Sequence, residues 1–381
     1  MTGTRPFAAG LACVVGLLAA PYSASAATWT VQAAPVPAGS YSLGDVVCLS
    51  MRDCIAVGGG VGRPVVARWN GTRWSRGPSG AAAGYFLGVD CASSKSCVAV
   101  GVTSHTACDK TLAESWNGFG WGVQPTPHPW ACSSDHGATT TDVRLTDVSC
   151  RFAATCLAVG NVEQAACGAT KRGARIASCG GDTGPLVERR RGNRWTIMKT
   201  DFEGVSAISC VSGGCTAVGD SQVGRFDGKK WTVRETLPLG AVFGTLNDVS
   251  CAATDACVAV GSGSGGRPLV ERFDGRRSIV DRAVSPSGAT LAELNAVSCP
   301  SRAACIAVGD YFTKGDKKHL PLVERWNGFR WSLDRTALPR RTSDLDLAGV
   351  SCVSASACVA VGYYTTRDMD LRPLIESTMP R

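Results

Sequence analysis

The chain repeats one short pattern seven times: a run such as LNDVSC, a short loop, CVAVG, then PLVERWNG and a closing RWSL. Such a repeat admits only architectures in which each copy is one supersecondary unit packed on its neighbours, so function is to be sought where the copies differ. Cysteine pairs anchor the copies: Cys48 with Cys54, Cys91 with Cys97, Cys150 with Cys156, Cys210 with Cys215, Cys251 with Cys257, Cys299 with Cys305, and Cys352 with Cys358. The first cysteines of successive copies lie 43, 59, 60, 41, 48 and 53 residues apart. That spacing suits one four-stranded propeller blade per copy, since blades commonly run to about 40 to 50 residues.

DVSC, CVAVG and PLVER are short, apolar and rich in β-branched residues, and Gly, Ser, Asn and Asp bound them where a helix would show caps. They read as strands. With the four strands of a copy labelled A to D, A ends at the first cysteine and B starts at the second, so a disulfide pins the tight A–B hairpin. Strands C and D join through the Asn-Gly or Asp-Gly at Asn70, Asn117, Asp227, Asp274 and Asn327, dipeptides that accept the positive φ of a two-residue turn. The seventh copy ends at PLIESTMPR and lacks a strand D, while Trp29-Thr30-Val31 matches the D strands at Trp195-Thr196-Ile197, Trp231-Thr232-Val233 and Trp331-Ser332-Leu333. The predicted fold is an all-β, disulfide-rich seven-bladed β-propeller of four strands per blade, its N-terminal strand completing the last blade and removing the free edge.

Residues 1–26 read as a secretory signal peptide: Arg5, an apolar stretch from Phe7 to Ala20, and Ala24-Ser25-Ala26 at the cleavage site. Residues 27–381 form the propeller. Removing Cys13 leaves 18 of the 19 cysteines, an even number suited to an oxidising, extracellular compartment. No other segment is apolar enough to span a membrane. The net charge of +8 mildly favours anionic partners, such as acidic cell-envelope polymers. Lys and Arg are too scattered for a nucleic-acid partner. The oligomeric state is left open.

In a blade of this kind the A–B and C–D turns lie on one side of the disc and the B–C and D–A loops on the other. The first side is short and monotonous. The second takes the insertions and the four remaining cysteines, for which Cys108–Cys132 and Cys167–Cys179 are the natural bridges. Loops held by a rigid frame are where binding usually sits. Nine of the ten tryptophans occupy repeated strand positions, where packing explains them; the tenth, Trp130, lies in an insertion with His128, Cys132, Asp135 and His136. The plain reading is a polar, disulfide-bonded loop, and the functional one is a sugar-stacking face. A zinc site from His105, Cys108, Cys132 and His136 competes with oxidation of the thiols, so no metal and no cofactor is expected. The same face carries Asp310, Tyr311, Phe312, Lys314, Asp316 and His319 in blade 6, and Tyr363, Tyr364, Arg367, Asp368 and Asp370 in blade 7.

Glu114, Glu188, Glu271, Glu324 and Glu376 recur at one position of strand C and read as scaffold groups. Asp45, Asp147 and Asp248 lie on strand A, which can face the channel, but their absence from four blades argues against a symmetric site. No HExxH, GxSxG, phosphate loop, Asp box or GH…WD pattern is present, and no catalytic residue is assigned.

The wording SCxSxxxCxAVG followed by ERWNGxxWS resembles repeats of secreted actinobacterial proteins, over essentially the whole chain after residue 26. The resemblance implies a propeller and secretion, and brings no catalytic motif. Blade 4 departs at Gln222-Val223-Gly224 and blade 5 at Ser278, which replaces the closing Trp; both blades are expected to be looser. The function expected is binding of an extracellular glycan or cell-envelope polymer through Trp130, His128, His136, Tyr311, Phe312, Tyr363 and Tyr364. The alternatives are a protein-interaction adaptor in a larger secreted assembly and, third, a glycan-active hydrolase or lyase.

Overall fold

The computed structural model describes residues 28–35, 41–60, 62–103, 109–127, 139–152, 155–166, 180–236, 244–314, 316–339 and 342–379. They form a seven-bladed β-propeller of seven four-stranded antiparallel sheets, with no helix among the described residues. In the last blade Thr30–Val31 pairs with Leu371–Ser377, Thr30 opposite Ser377 and Val31 opposite Glu376, so the N-terminal strand closes the ring. Trp29 is buried beside this seam, and its indole N–H donates to Asp334 of blade 6.

Apolar strand residues alternate into seven separate cores, one per junction between neighbouring blades. The seven repeated cysteine pairs face one another across strands A and B, with Cα atoms 3.9–4.1 Å apart in formed disulfides. Cys48 is bonded to Cys54, Cys91 to Cys97, Cys150 to Cys156, and Cys210 to Cys215. Cys251 is bonded to Cys257, Cys299 to Cys305, and Cys352 to Cys358. The strand B members, Cys54, Cys97, Cys156, Cys215, Cys257, Cys305 and Cys358, are all buried, and each belongs to one of the seven cores. These bridges are therefore packed scaffold. The glycine of the repeated AVG has a steric cause. A Cβ at Gly58, Gly160 or Gly309 would lie 2.0–2.1 Å from a strand A carbonyl oxygen, so only hydrogen fits.

A second ladder runs around the ring through the Ser of VSC. Ser149, Ser209, Ser250, Ser298 and Ser351 each accept the amide N–H of the first cysteine in the next blade, at 2.9–3.0 Å. Asp90 does the same for Cys150 at 2.6 Å.

Strand length sets which side projects. Strands A and B are 14 and 12 residues long in blade 3, 13 and 10 in blades 6 and 7, and only 5 and 6 in blade 4. Blade 4 is not left loose by its departure. Where other blades place the strand C glutamate, Gly224 leaves a space filled by Phe202, whose ring would lie 2.4 Å from an added Cβ and packs edge-on against Trp231 at 5.7 Å.

Candidate functional site

The extended ends of blades 6 and 7 bring together the polar groups that distinguish these copies. Strands A and B of blade 6 (Ala289–Ser301 and Ala304–Thr313) pair Glu293 with Asp310, and those of blade 7 (Thr342–Ser354 and Ala357–Thr366) pair Asp346 with Tyr363. His319, on strand C of blade 6 (Asp316–Trp326), bridges the two blades: its Nδ1 lies 2.6 Å from Asp310 Oδ2, and its amide N–H donates to Asp344 Oδ1 at 2.6 Å. Asn295 donates to Asp346 Oδ1 at 2.8 Å and to the Leu347 carbonyl at 3.1 Å. Phe312 packs on the His319 ring with centroids 3.9 Å apart.

Four carboxyl groups around one imidazole cannot all ionise cheaply. Burial, then repulsion from Asp310 and Glu293, pushes Asp346 up to about 7. Burial raises Asp310 and Glu293 as well, while His319 opposes the shift in both. Tyr363 is raised by burial and by the charges of Asp346, Asp344 and Asp310. The cluster therefore offers proton donors as well as acceptors near neutral pH. No group of three or more His, Cys, Asp or Glu side chains suited to a metal ion occurs among the described residues.

Of the residues singled out in the sequence, Asp310, Phe312, His319 and Tyr363 fall in this cluster. Tyr311 and Tyr364 are half-buried against the cores of the 5–6 and 6–7 junctions, a packing role. Trp130, His128 and His136, the set of His105, Cys108 and Cys132, and the bridges Cys108–Cys132 and Cys167–Cys179 lie outside the described residues, as does the signal segment 1–26. Glu293, Asn295, Asp344 and Asp346 were missed by sequence reasoning. They sit on regular strand A positions, and only contact between blades groups them.

The channel carboxylates act as clamps. Asp45, Asp147 and Asp248 each accept their own blade's next amide and an amide of the following blade: Val89 at 2.8 Å, Ile208 at 2.7 Å and Val297 at 2.7 Å. Burial pushes Asp45 up to about 8 and Asp248 to about 6, and Asp147 is raised by burial and by both of the others. Two of the strand C glutamates hold the loop that enters their own blade. Glu114 accepts from Ser79 Oγ (2.6 Å), Gly80 N (3.0 Å) and Ala81 N (2.7 Å), and Glu324 from Val284 N (3.0 Å).

No family model matches the chain, and no curated protein is similar to it. Among solved structures it is similar to YCF48 bound to D1 peptide, at 11% identity over 92% of this chain and 94% of that chain, with a TM-score of 0.53. It is similar also to the GH74 xyloglucanase from Xanthomonas campestris, at 11% identity and a TM-score of 0.53, covering 91% of this chain and 55% of the enzyme chain. A chain of the mitotic checkpoint complex matches at 10% identity over 97% of this chain and 98% of that one, with a TM-score of 0.50. At these identities the likeness shows the propeller fold.

Proposed function

We propose that the protein is a secreted binding module and that the junction of blades 6 and 7 takes an extracellular glycan. The observation that carries this reading is the grouping of Asp310, Asp346, Glu293, Asn295 and His319 beside the Phe312 ring, on the side where the copies differ. Hydroxyl-rich ligands need closely spaced acceptors and donors plus an apolar face for stacking. The local charge narrows the class. The chain as a whole is basic, which favours an acidic polymer, but four carboxyl groups here repel one, so a neutral or amino sugar fits better. Seven formed disulfides accord with an oxidising compartment, and no helix among the described residues is long and apolar enough to cross a membrane.

Retention of the oxidised protein on immobilised neutral and acidic polysaccharides tests the reading. Saturable retention on a neutral or amino-sugar polymer, weakened at least tenfold by Asp310→Asn or Phe312→Ala, is expected. Equal retention of these variants would refute it. One observation favours the adaptor alternative: Phe119 and Phe329 are 94% and 91% exposed at C–D turns on the opposite side. Stoichiometric capture of one secreted protein, lost in Phe119→Ser and Phe329→Ser variants, would establish that alternative.

A further inference from the structure

A closing tryptophan can do two things, and Trp74 and Trp331 do both. It lies against the strand C aromatic of its own blade, as Trp74 does on Trp69, Trp121 on Trp116, Trp231 on Phe226 and Trp331 on Trp326, with centroids 5.2–6.0 Å apart. Its indole N–H can also reach back to the strand D of the preceding blade, at the third residue after that blade's own Trp position. Trp74 donates there to Gln32 (2.7 Å), Trp331 to Asp281 (3.3 Å) and Trp29 to Asp334 (3.4 Å). The two aspartates serve a second partner, because each neutralises the strand C arginine of its own blade: Arg272 with Asp281 at 2.9 Å, and Arg325 with Asp334 at 2.6 Å.

At the junction of blades 4 and 5 this arrangement is inverted. Ser278 stands where the indole should be, so strand D supplies no ring over Phe273, and the Ser278 hydroxyl donates instead to Glu271 at 2.7 Å. Arg234 stands where the acceptor should be. The strand C arginine is kept as Arg225, which therefore shares its site with a second guanidinium in place of a carboxylate. Arg225 donates to the Gly275 carbonyl at 3.5 Å, and the Arg234 side chain has no hydrogen bond or ion pair among the described residues. Of the two acids nearby only Asp255 is ion-paired, and Glu235 lines the same cavity as a single carboxylate against four arginines. Glu235 accepts from the Gln222 side-chain amide at 2.9 Å, and Asp255, close enough to feel the charge of Arg225, is paired with Arg302. The result is a cavity of about 410 Å³ lined by Phe273, Ser278, Arg225, Arg234, Arg276 and Arg277 among others. That volume is in the range of small-ligand sites.

The space thus lacks the flat ring that the closing tryptophan lays on the strand C aromatic in blades 1, 2, 4 and 6, and the aspartate that meets the strand C arginine at the junctions of blades 5 with 6 and 6 with 7. We propose that this slot binds a small aromatic anion. A one- or two-ring aromatic group stacks on Phe273 in place of the absent indole, and its carboxylate, sulfate or phosphate lies between Arg225 and Arg234 in place of the absent aspartate. Stacking supplies the apolar part of the affinity, and charge-assisted, bidentate hydrogen bonds from guanidinium supply the selectivity for an anion. The slot is separate from the cluster of blades 6 and 7, so the two readings stand or fall independently.

Calorimetric titration of the oxidised protein with indole-3-acetate, 4-nitrophenyl phosphate and 4-nitrophenyl sulfate tests the proposal, with uncharged indole and acetate as the separated halves. Saturable 1:1 binding of at least one aromatic anion is expected, at least tenfold tighter than either half. Arg234→Asp is expected to weaken binding at least tenfold while holding or raising the melting temperature, since it recreates the Arg–Asp pair of blades 5 and 6. Ser278→Trp is expected to abolish binding by filling the slot, and polysaccharide retention is expected to be unchanged in both variants. Absence of saturable binding by all three anions, or binding insensitive to Arg234→Asp, would overturn the proposal; the second criterion holds even if Ser278→Trp does not fold.

Discussion

One repeated residue shows how a scaffold position can lose its reason. Glu114 and Glu324 are buried acceptors for the loop that enters their blade, and the matching amide belongs to the sixth residue after the closing Trp position: Gly80 after Trp74, Val284 after Ser278. In the loop entering blade 3 that residue is Pro127, six after Trp121, and proline has no N–H. Glu188 accordingly has no partner for either carboxyl oxygen among the described residues, and burial pushes it up to about 8. Blade 1 also has a proline there, Pro35, but carries Ala67 in place of the glutamate. Glu114→Leu should therefore remove the acceptor of the Gly80 and Ala81 amides and of the Ser79 hydroxyl and cost about 1–3 kcal/mol, whereas Glu188→Leu should be neutral or stabilising. Denaturant midpoints of the two variants check this, and equal losses would contradict it. The glutamates were legible in the sequence as scaffold from their repetition alone. Which of them had lost its donor became clear only once the structure showed which loop amide each one meets.

Between blades, three kinds of seam carry the ring: apolar cores, the serine ladder and the aspartate clamps. Ser298→Ala should cost about 1 kcal/mol by orphaning the Cys352 amide, read as a lowered denaturant midpoint with unchanged slope. Phe202→Ala should cost more, about 3–5 kcal/mol, because the buried ring fills the space over Gly224. The two departures in blades 4 and 5 were readable as departures, but not their consequences. Phe202 lies in a D–A loop outside any strand periodicity, so nothing in the sequence pairs it with Gly224. Blade 4 thus repairs its gap with a side chain from the loop entering it, while the gap in blade 5 stays open as the cavity beside Ser278.

Across the molecule, the strand count, the disulfide ladder and the closure by Trp29-Thr30-Val31 were all legible, because a repeat makes its own missing member visible. The candidate site was legible only in part: Asp310, Phe312, His319 and Tyr363 stood out in divergent segments, but Glu293, Asn295, Asp344 and Asp346 look like ordinary strand residues until two blades meet. The buried carboxyl groups give the whole fold a pH dependence. Asp45, Glu188 and Glu376 are pushed up to about 8, Glu324 and Asp346 to about 7, and Asp248 to about 6, all by burial first. A raised folded-state pKa gives stability that is full below about pH 4, the ordinary carboxylate range, and is lost as pH rises through the folded values. The melting temperature should therefore fall between about pH 5 and 9, and Glu188→Gln should make the fall shallower; a flat or rising profile would contradict this. The most direct test of where function lies is hydrogen–deuterium exchange of the oxidised protein with and without a pool of neutral and amino-sugar polysaccharides. Slowed exchange confined to residues 291–296, 310–320, 342–347 and 363–366 is the result the account expects. Protection centred on the turns around Phe119 and Phe329, or none at all, would contradict it.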